Sequence, residues 1–118
     1  MSYVDGYVIA VPTKEKEAYI KLAKESADIF KDHGAISVVE NWGESVPDGK
    51  LTSFPMAVKA TDEETVVFSW VTWANKESRD AGIKSAMEDS RMSAMEPHRM
   101  PFDSKRLIFG GFETIVSR

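Results

Sequence analysis

Two histidines, three carboxylates set in apolar strands and a basic cluster around one loop are the side chains of this sequence with chemistry to offer. His98 follows Pro97 in an irregular segment, Arg91 to His98, and reads either as a solvated loop residue or as a general base or axial ligand. His33 closes a predicted helix, where a partial positive charge suits the helix C-terminus. Asp5, Glu40 and Glu113 each interrupt an apolar strand, and a buried carboxylate needs a partner. Arg79, Lys105 and Arg106 are available for that. Such a cluster is either an acid/base or ligand-anchoring group with shifted pKa values, or a set of structural ion pairs. Arg91, Arg99, Lys105 and Arg106 bracket the loop before the last strand. They suit a carboxylate- or phosphate-bearing small molecule, and equally suit bridges to Asp89, Glu96 and Asp103. The catalytic candidates are therefore His98, Glu40 and Arg106. The ligand-binding candidates are Tyr7, Trp42, Arg79, Phe102, Asp103, Lys105 and Glu113, the aromatic ones as walls for a flat, apolar molecule. No spacing of His, Asp and Glu resembles a metal box, so neither a metal nor a cofactor is expected.

Composition narrows the partners. The 118 residues suit one domain, 1–118, and carry 19 acidic against 15 basic side chains for a net charge of −4. That balance disfavours nucleic acid, whose backbone demands a clustered positive surface. The segment KRLIFGGFE has a superficial likeness to an RNA-recognition strand, but it lies on the final strand rather than the third. Cysteine is absent, which removes disulfides and thiolate chemistry. With no signal-like N-terminus and no apolar run of about 18 residues, a cytoplasmic protein without membrane contact is expected.

The elements that must position these groups follow from pattern. Tyr3 to Val11 is a strand ending at Pro12, apolar on both faces. A helix runs from a Thr13 N-cap to about His33, its stripe made by Tyr19, Leu22, Ala23, Ser26, Ile29 and Phe30, with Gly34 beyond it. Ala35 to Trp42 is a second strand. Leu51 to Lys59 is a weaker one, which Pro55 consigns to an edge or a bulge. Thr65 to Trp73 is the most emphatic strand. Asn75 caps an amphipathic helix over Ser78 to Asp89, and MPFDSKRLIFGGFETIV supplies a turn and the closing strand. The order β-α-β-β-β-α-β is α+β: a ferredoxin-like split βαβ with an extra hairpin strand and two helices on one sheet face.

Two helices cover only one face of such a sheet, yet the first, penultimate and last strands are apolar on both. A homodimer joined through the open face, giving a barrel-like assembly, is expected. In the last strand Gly110 and Gly111 have opposite parity. One gap is expected to open a pocket under the helices, the other to allow close packing between copies.

The segments YVDGYVIAVP, VVENWGESVPDGK, FPMAVKA, VVFSW and above all MPFDSKRLIFGGFE resemble the YbaA-like family of small bacterial proteins of unknown function. They span nearly the whole chain. The resemblance implies the dimeric α+β barrel fold and a dimer, and no activity. The wider superfamily it resembles includes cofactor-free monooxygenases of quinone-like substrates, haem-handling enzymes and proteins with no known catalysis. The expectation is an uncharacterised homodimer with a pocket between helices and sheet for a small apolar or anionic molecule. The alternative is a cofactor-independent monooxygenase-like or haem-handling enzyme.

Overall fold

The computed structural model describes residues 2–96 and 99–118. Its centre is the antiparallel pair of β1 (Tyr3–Pro12) and β3 (Glu64–Trp73), in register from Tyr3 opposite Trp73 to Pro12 opposite Glu64. β2 (Ser37–Trp42) adds to the far side of β3, and β4 (Ile108–Glu113) to the far side of β1. The strand order β2-β3-β1-β4 is that of the ferredoxin-like split βαβ, and among the described residues both edges of the sheet are unpaired.

β-branched and aromatic residues at alternate positions of β1 and β3 send Ile9, Val11, Val67, Val71 and Trp73 toward the helices, where all are buried. α1 (Lys16–Asp32) lays Tyr19, Ile29 and Phe30 on that face, and α3 (Lys76–Met87) adds Ala86. Asn75 caps α3 by accepting from the Ser78 amide at 2.8 Å. Thr13 does not cap α1. Its hydroxyl meets that of Thr65 at 2.7 Å, and a 3₁₀ turn over Thr13–Glu15 leads into the helix instead. Gly34, at φ +107°, takes the left-handed turn that ends α1. At Gly82 a Cβ would overlap the Trp73 ring, so glycine lets α3 lie directly on that indole.

The extra hairpin strand expected over Leu51 to Lys59 does not form. Ser53 accepts from the Met56 amide at 3.1 Å and starts a one-turn helix, α2 (Phe54–Ala57), with Pro55 in its first turn. A proline with no donor fits a first helical turn better than a sheet ladder. This segment also covers one corner of the open sheet face. Val58 is buried against Ala10 and Val66, and Phe54 packs on Phe68 with ring centroids 5.7 Å apart. The remainder of that face stays bare, with Phe68, Ile108 and Phe112 among the exposed apolar side chains.

One of the two adjacent glycines departs from expectation. On the helix side, the gap at Gly111 is filled by the Tyr3 ring, whose hydroxyl would lie 2.5 Å from a Cβ there, so it opens no pocket. On the open side, Gly110 pairs with Gly6, and the Phe112 ring lies over both.

Candidate functional site

A cavity of about 210 Å³ lies between α1 and the sheet. The inward stripe of α1 forms one wall through Tyr19, Leu22, Ala23, Ser26 and Phe30. The sheet forms another through Tyr7, Ile9, Val38, Glu40, Ser69 and Val71. Met87, Met92, Met100, Phe102 and Leu107 close it from α3 and the loop before β4. Phe102 packs on Tyr19 at 5.9 Å between centroids, and Tyr7 stacks with Phe109 at 6.2 Å. Against the other side of the same wall lies an outer groove of about 360 Å³ between α1 and β2, lined in part by Lys16, Ile20, Ala27 and Trp42. Lys16 sits over the Trp42 ring, 5.4 Å from its centroid. Tyr19, Ala23, Val38 and Glu40 belong to both hollows.

The polar centre of this arrangement is a pair. The Tyr19 hydroxyl donates to Glu40 Oε1 at 2.6 Å. Glu40 lies on the edge strand β2 with much of its length exposed, yet its carboxyl reaches a hydroxyl that is itself buried. Desolvation raises Glu40 above the ordinary carboxylate range, although hydrogen bonds from Tyr19 and Ser69 pull the other way. Burial first, and the neighbouring Glu40 second, push the Tyr19 phenol well up. Burial, assisted by Asp5, raises Tyr7 to about 12. Both phenols are therefore neutral donors at pH 7, facing a carboxyl that gives up its proton less readily than usual. Such a group can accept a hydrogen bond from a ligand or take a proton from one.

The structure distributes the candidates read from sequence unevenly. Tyr7, Glu40 and Phe102 line the cavity, and Trp42 lines the outer groove. Arg79 does not. It grips Asp5, with Nη2 to Oδ1 at 2.7 Å and Nε at 3.1 Å from both oxygens, while the Trp73 indole donates to Asp5 Oδ2 at 3.0 Å. This ties α3 to β1, the structural-pair alternative for Asp5. Arg106 is likewise engaged elsewhere. Its guanidinium meets Glu64 at 2.6 and 2.8 Å, Asp103 at 3.0 Å and the Lys59 carbonyl at 2.8 Å. Asp103 also accepts from the Lys105 amide at 3.0 Å, so it holds its own turn. Glu113 is exposed on β4, outside the cavity wall. His98 lies outside the described residues. His33 bridges the helices, with Nδ1 at 2.8 Å from Ser85 Oγ and Nε2 at 2.8 Å from Asp89.

Three groups at the site escaped the reading from sequence: Tyr19 as a polar partner, Ser69, and the methionines. Tyr19 carried a usable signal. A tyrosine inside an apolar helix stripe must find a partner for its hydroxyl, and Glu40 is the inward-facing acidic residue on the neighbouring strand. No group of three or more His, Cys, Asp or Glu able to hold a metal occurs among the described residues. Within the same residues no helix is long and apolar enough to cross a membrane.

Comparison with known proteins bears out the family resemblance. A family model described as "Protein of unknown function (DUF1428)" matches residues 2–104. The uncharacterized protein YbaA of Escherichia coli strain K12 is 52% identical over 116 residues, covering 98% of each chain. Among solved structures, the fold is similar to a protein from Nitrosomonas europaea provisionally named an antibiotic biosynthesis monooxygenase. That match has a TM-score of 0.63 at 9% identity and covers 97% of this chain and 90% of that one. A dimeric ferredoxin-like protein from an uncultured marine organism is similar as well, with a TM-score of 0.59 at 13% identity, covering 99% and 96%. At such identities the structural likeness carries the fold alone.

Proposed function

The chain belongs to the DUF1428 family of proteins of unknown function, and from that premise we propose that it is a homodimer that binds a small molecule between α1 and the sheet. The observation that carries the binding reading is the Tyr19–Glu40 pair set into a largely apolar cavity. Concave apolar hollows with a few convergent polar groups are the usual form of a ligand site. The homodimer is supported by the bare apolar sheet face around Phe68, Ile108 and Phe112, a patch of the kind that marks an interface. A dimeric relative in fold adds to that support. Light scattering on a dilute, folded sample tests the assembly, and a monomer there removes it. Titration of small apolar probes, followed by shifts of cavity-lining resonances, tests the site. No shift at Tyr7, Phe30 or Phe102 removes the binding reading.

A second reading is enzymatic, in the manner of a cofactor-independent monooxygenase or a haem-handling protein. It is favoured by a carboxyl of raised basicity in an apolar wall, a group suited to taking a proton from a bound donor. Glu40 is its base, with Tyr19 holding the carboxyl in place. Turnover of hydroquinones in air, abolished by Glu40→Gln, supports it, as does a Soret shift on haemin titration. Silence in both leaves a binding protein.

A further inference from the structure

We infer that the cavity under α1 takes an uncharged ligand of one or two aromatic rings bearing a hydroxyl or N–H donor, and that Glu40 is the residue that turns anions away. The inference rests on the cavity being a binding site and adds the class of molecule it selects.

Size sets the first limit. A volume of about 210 Å³ falls below the range of roughly 300–1,000 Å³ usual for drug-sized ligands. It exceeds the roughly 150 Å³ that suffices for benzene in an apolar protein cavity. One ring, or two fused rings, is the scale that fits.

The walls set the second. Tyr7, Phe30 and Phe102 offer aromatic surface, and Met87, Met92 and Met100 offer soft thioether chains that adapt to a flat body. Among the described residues neither lysine nor arginine lines this hollow. Lys16 and Lys24 belong to the outer groove, on the far side of the Tyr19–Glu40 wall.

The polar groups set the third. A carboxylate accepts only, through two oxygens with about four lone-pair positions between them. One position of Oε1 is taken by Tyr19. The remaining acceptor capacity matches a ligand O–H or N–H. Tyr19 does not compete with the ligand as a free donor, because it is turned toward Glu40, whereas the Tyr7 and Ser26 hydroxyls also face the hollow. An anionic ligand would meet a like charge with no lysine or arginine among the described residues of the wall to offset it. The desolvation that raises Glu40 points the same way, since a second charge would add to a penalty already present.

Four probes on the full chain at pH 7 test this selectivity: phenol, indole, anisole and benzoate, titrated by NMR. Phenol and indole are expected to shift the cavity resonances, with anisole and benzoate each at least about tenfold weaker. In Glu40→Gln, which replaces a charged acceptor by a neutral amide and adds a donor, phenol is expected to weaken and benzoate to gain, so that their ratio moves at least about tenfold toward benzoate. Benzoate binding the native chain as tightly as phenol overturns the selectivity and leaves the cavity reading standing. So does anisole equal to phenol. No shift from any probe overturns both. If Glu40→Gln does not fold, the four titrations of the native chain still separate these outcomes.

Discussion

The Tyr19 hydroxyl lies 2.6 Å from Glu40 Oε1, and this bond joins the first turns of α1 to an edge strand 21 residues further along the chain. It is the polar centre of two apolar hollows, so its removal reaches both. In Tyr19→Phe, Glu40 keeps its desolvation but loses a hydrogen bond that lowers its pKa. The Glu40 pKa is expected to rise further, read by carboxyl chemical shift against pH. Stability falls by about 1 kcal/mol, the usual net worth of one hydrogen bond.

Two carboxylates give stability opposite pH dependences. Burial raises Glu40, so the folded chain holds that proton more tightly than the unfolded one. Its contribution is most favourable below the ordinary 4.5 and declines as pH rises through the raised value. Arg106 holds Glu64 at about 2, so its contribution is full above 4.5 and is lost as pH falls toward 2. Urea melts across pH 2–7 are expected to show Glu64→Gln flattening the acid limb and Glu40→Gln flattening the decline above pH 4.5. An unchanged acid limb in Glu64→Gln refutes the first assignment.

Gly82→Ala sets two effects against each other. Alanine gains about 1 kcal/mol in helix propensity. Its methyl, however, meets the fully buried Trp73 ring and stands 2.7 Å from the His33 carbonyl. Overpacking typically costs about 1–3 kcal/mol, and a backbone neighbour yields little. A net loss of about 1–2 kcal/mol is expected by chemical denaturation, with stabilisation as the contrary result.

Asp5→Ala removes the partner of a 25% exposed Arg79 and strands the buried Trp73 N–H. Losing one member of a buried pair costs about 3–5 kcal/mol, and the partial exposure of Arg79 places this variant near the lower end of that range. Binding of phenol is expected to persist in whatever fraction remains folded, since Asp5 lies outside the cavity lining.

The assembly is tested by charge. Phe68→Glu together with Phe112→Glu places like charges on both facing sheets of the proposed dimer. The double variant is expected to sediment as a folded monomer at concentrations where the native chain is a dimer.

How much was legible varied with the range of the interaction. β1, β3 and α3 with its Asn75 cap follow from alternation, helical spacing and capping chemistry, all of which act within a few residues. At Leu51 to Lys59 the short apolar run has the pattern of a strand, and the local Ser53 cap and Pro55 prevail over it. Arg79 stands among the partners that the sequence offers to Asp5, and it is the one that binds there. Arg106, by contrast, is drawn to Glu64, 42 residues away, and so leaves the pocket it is expected to serve.

The sequence by itself determined the family, the α+β class, the two-sided apolar strands and the absence of cysteine chemistry. These are properties of pattern and composition, which need no knowledge of what lies across the sheet. Only the tertiary structure decided which polar groups share a cavity. Tyr19 and Glu40 meet because α1 crosses β2 at the register that brings their side chains together. The Gly111 gap opens nothing because the Tyr3 ring already occupies it. Pairing across elements depends on helix placement and strand register, and those are fixed by the whole core rather than by any one segment.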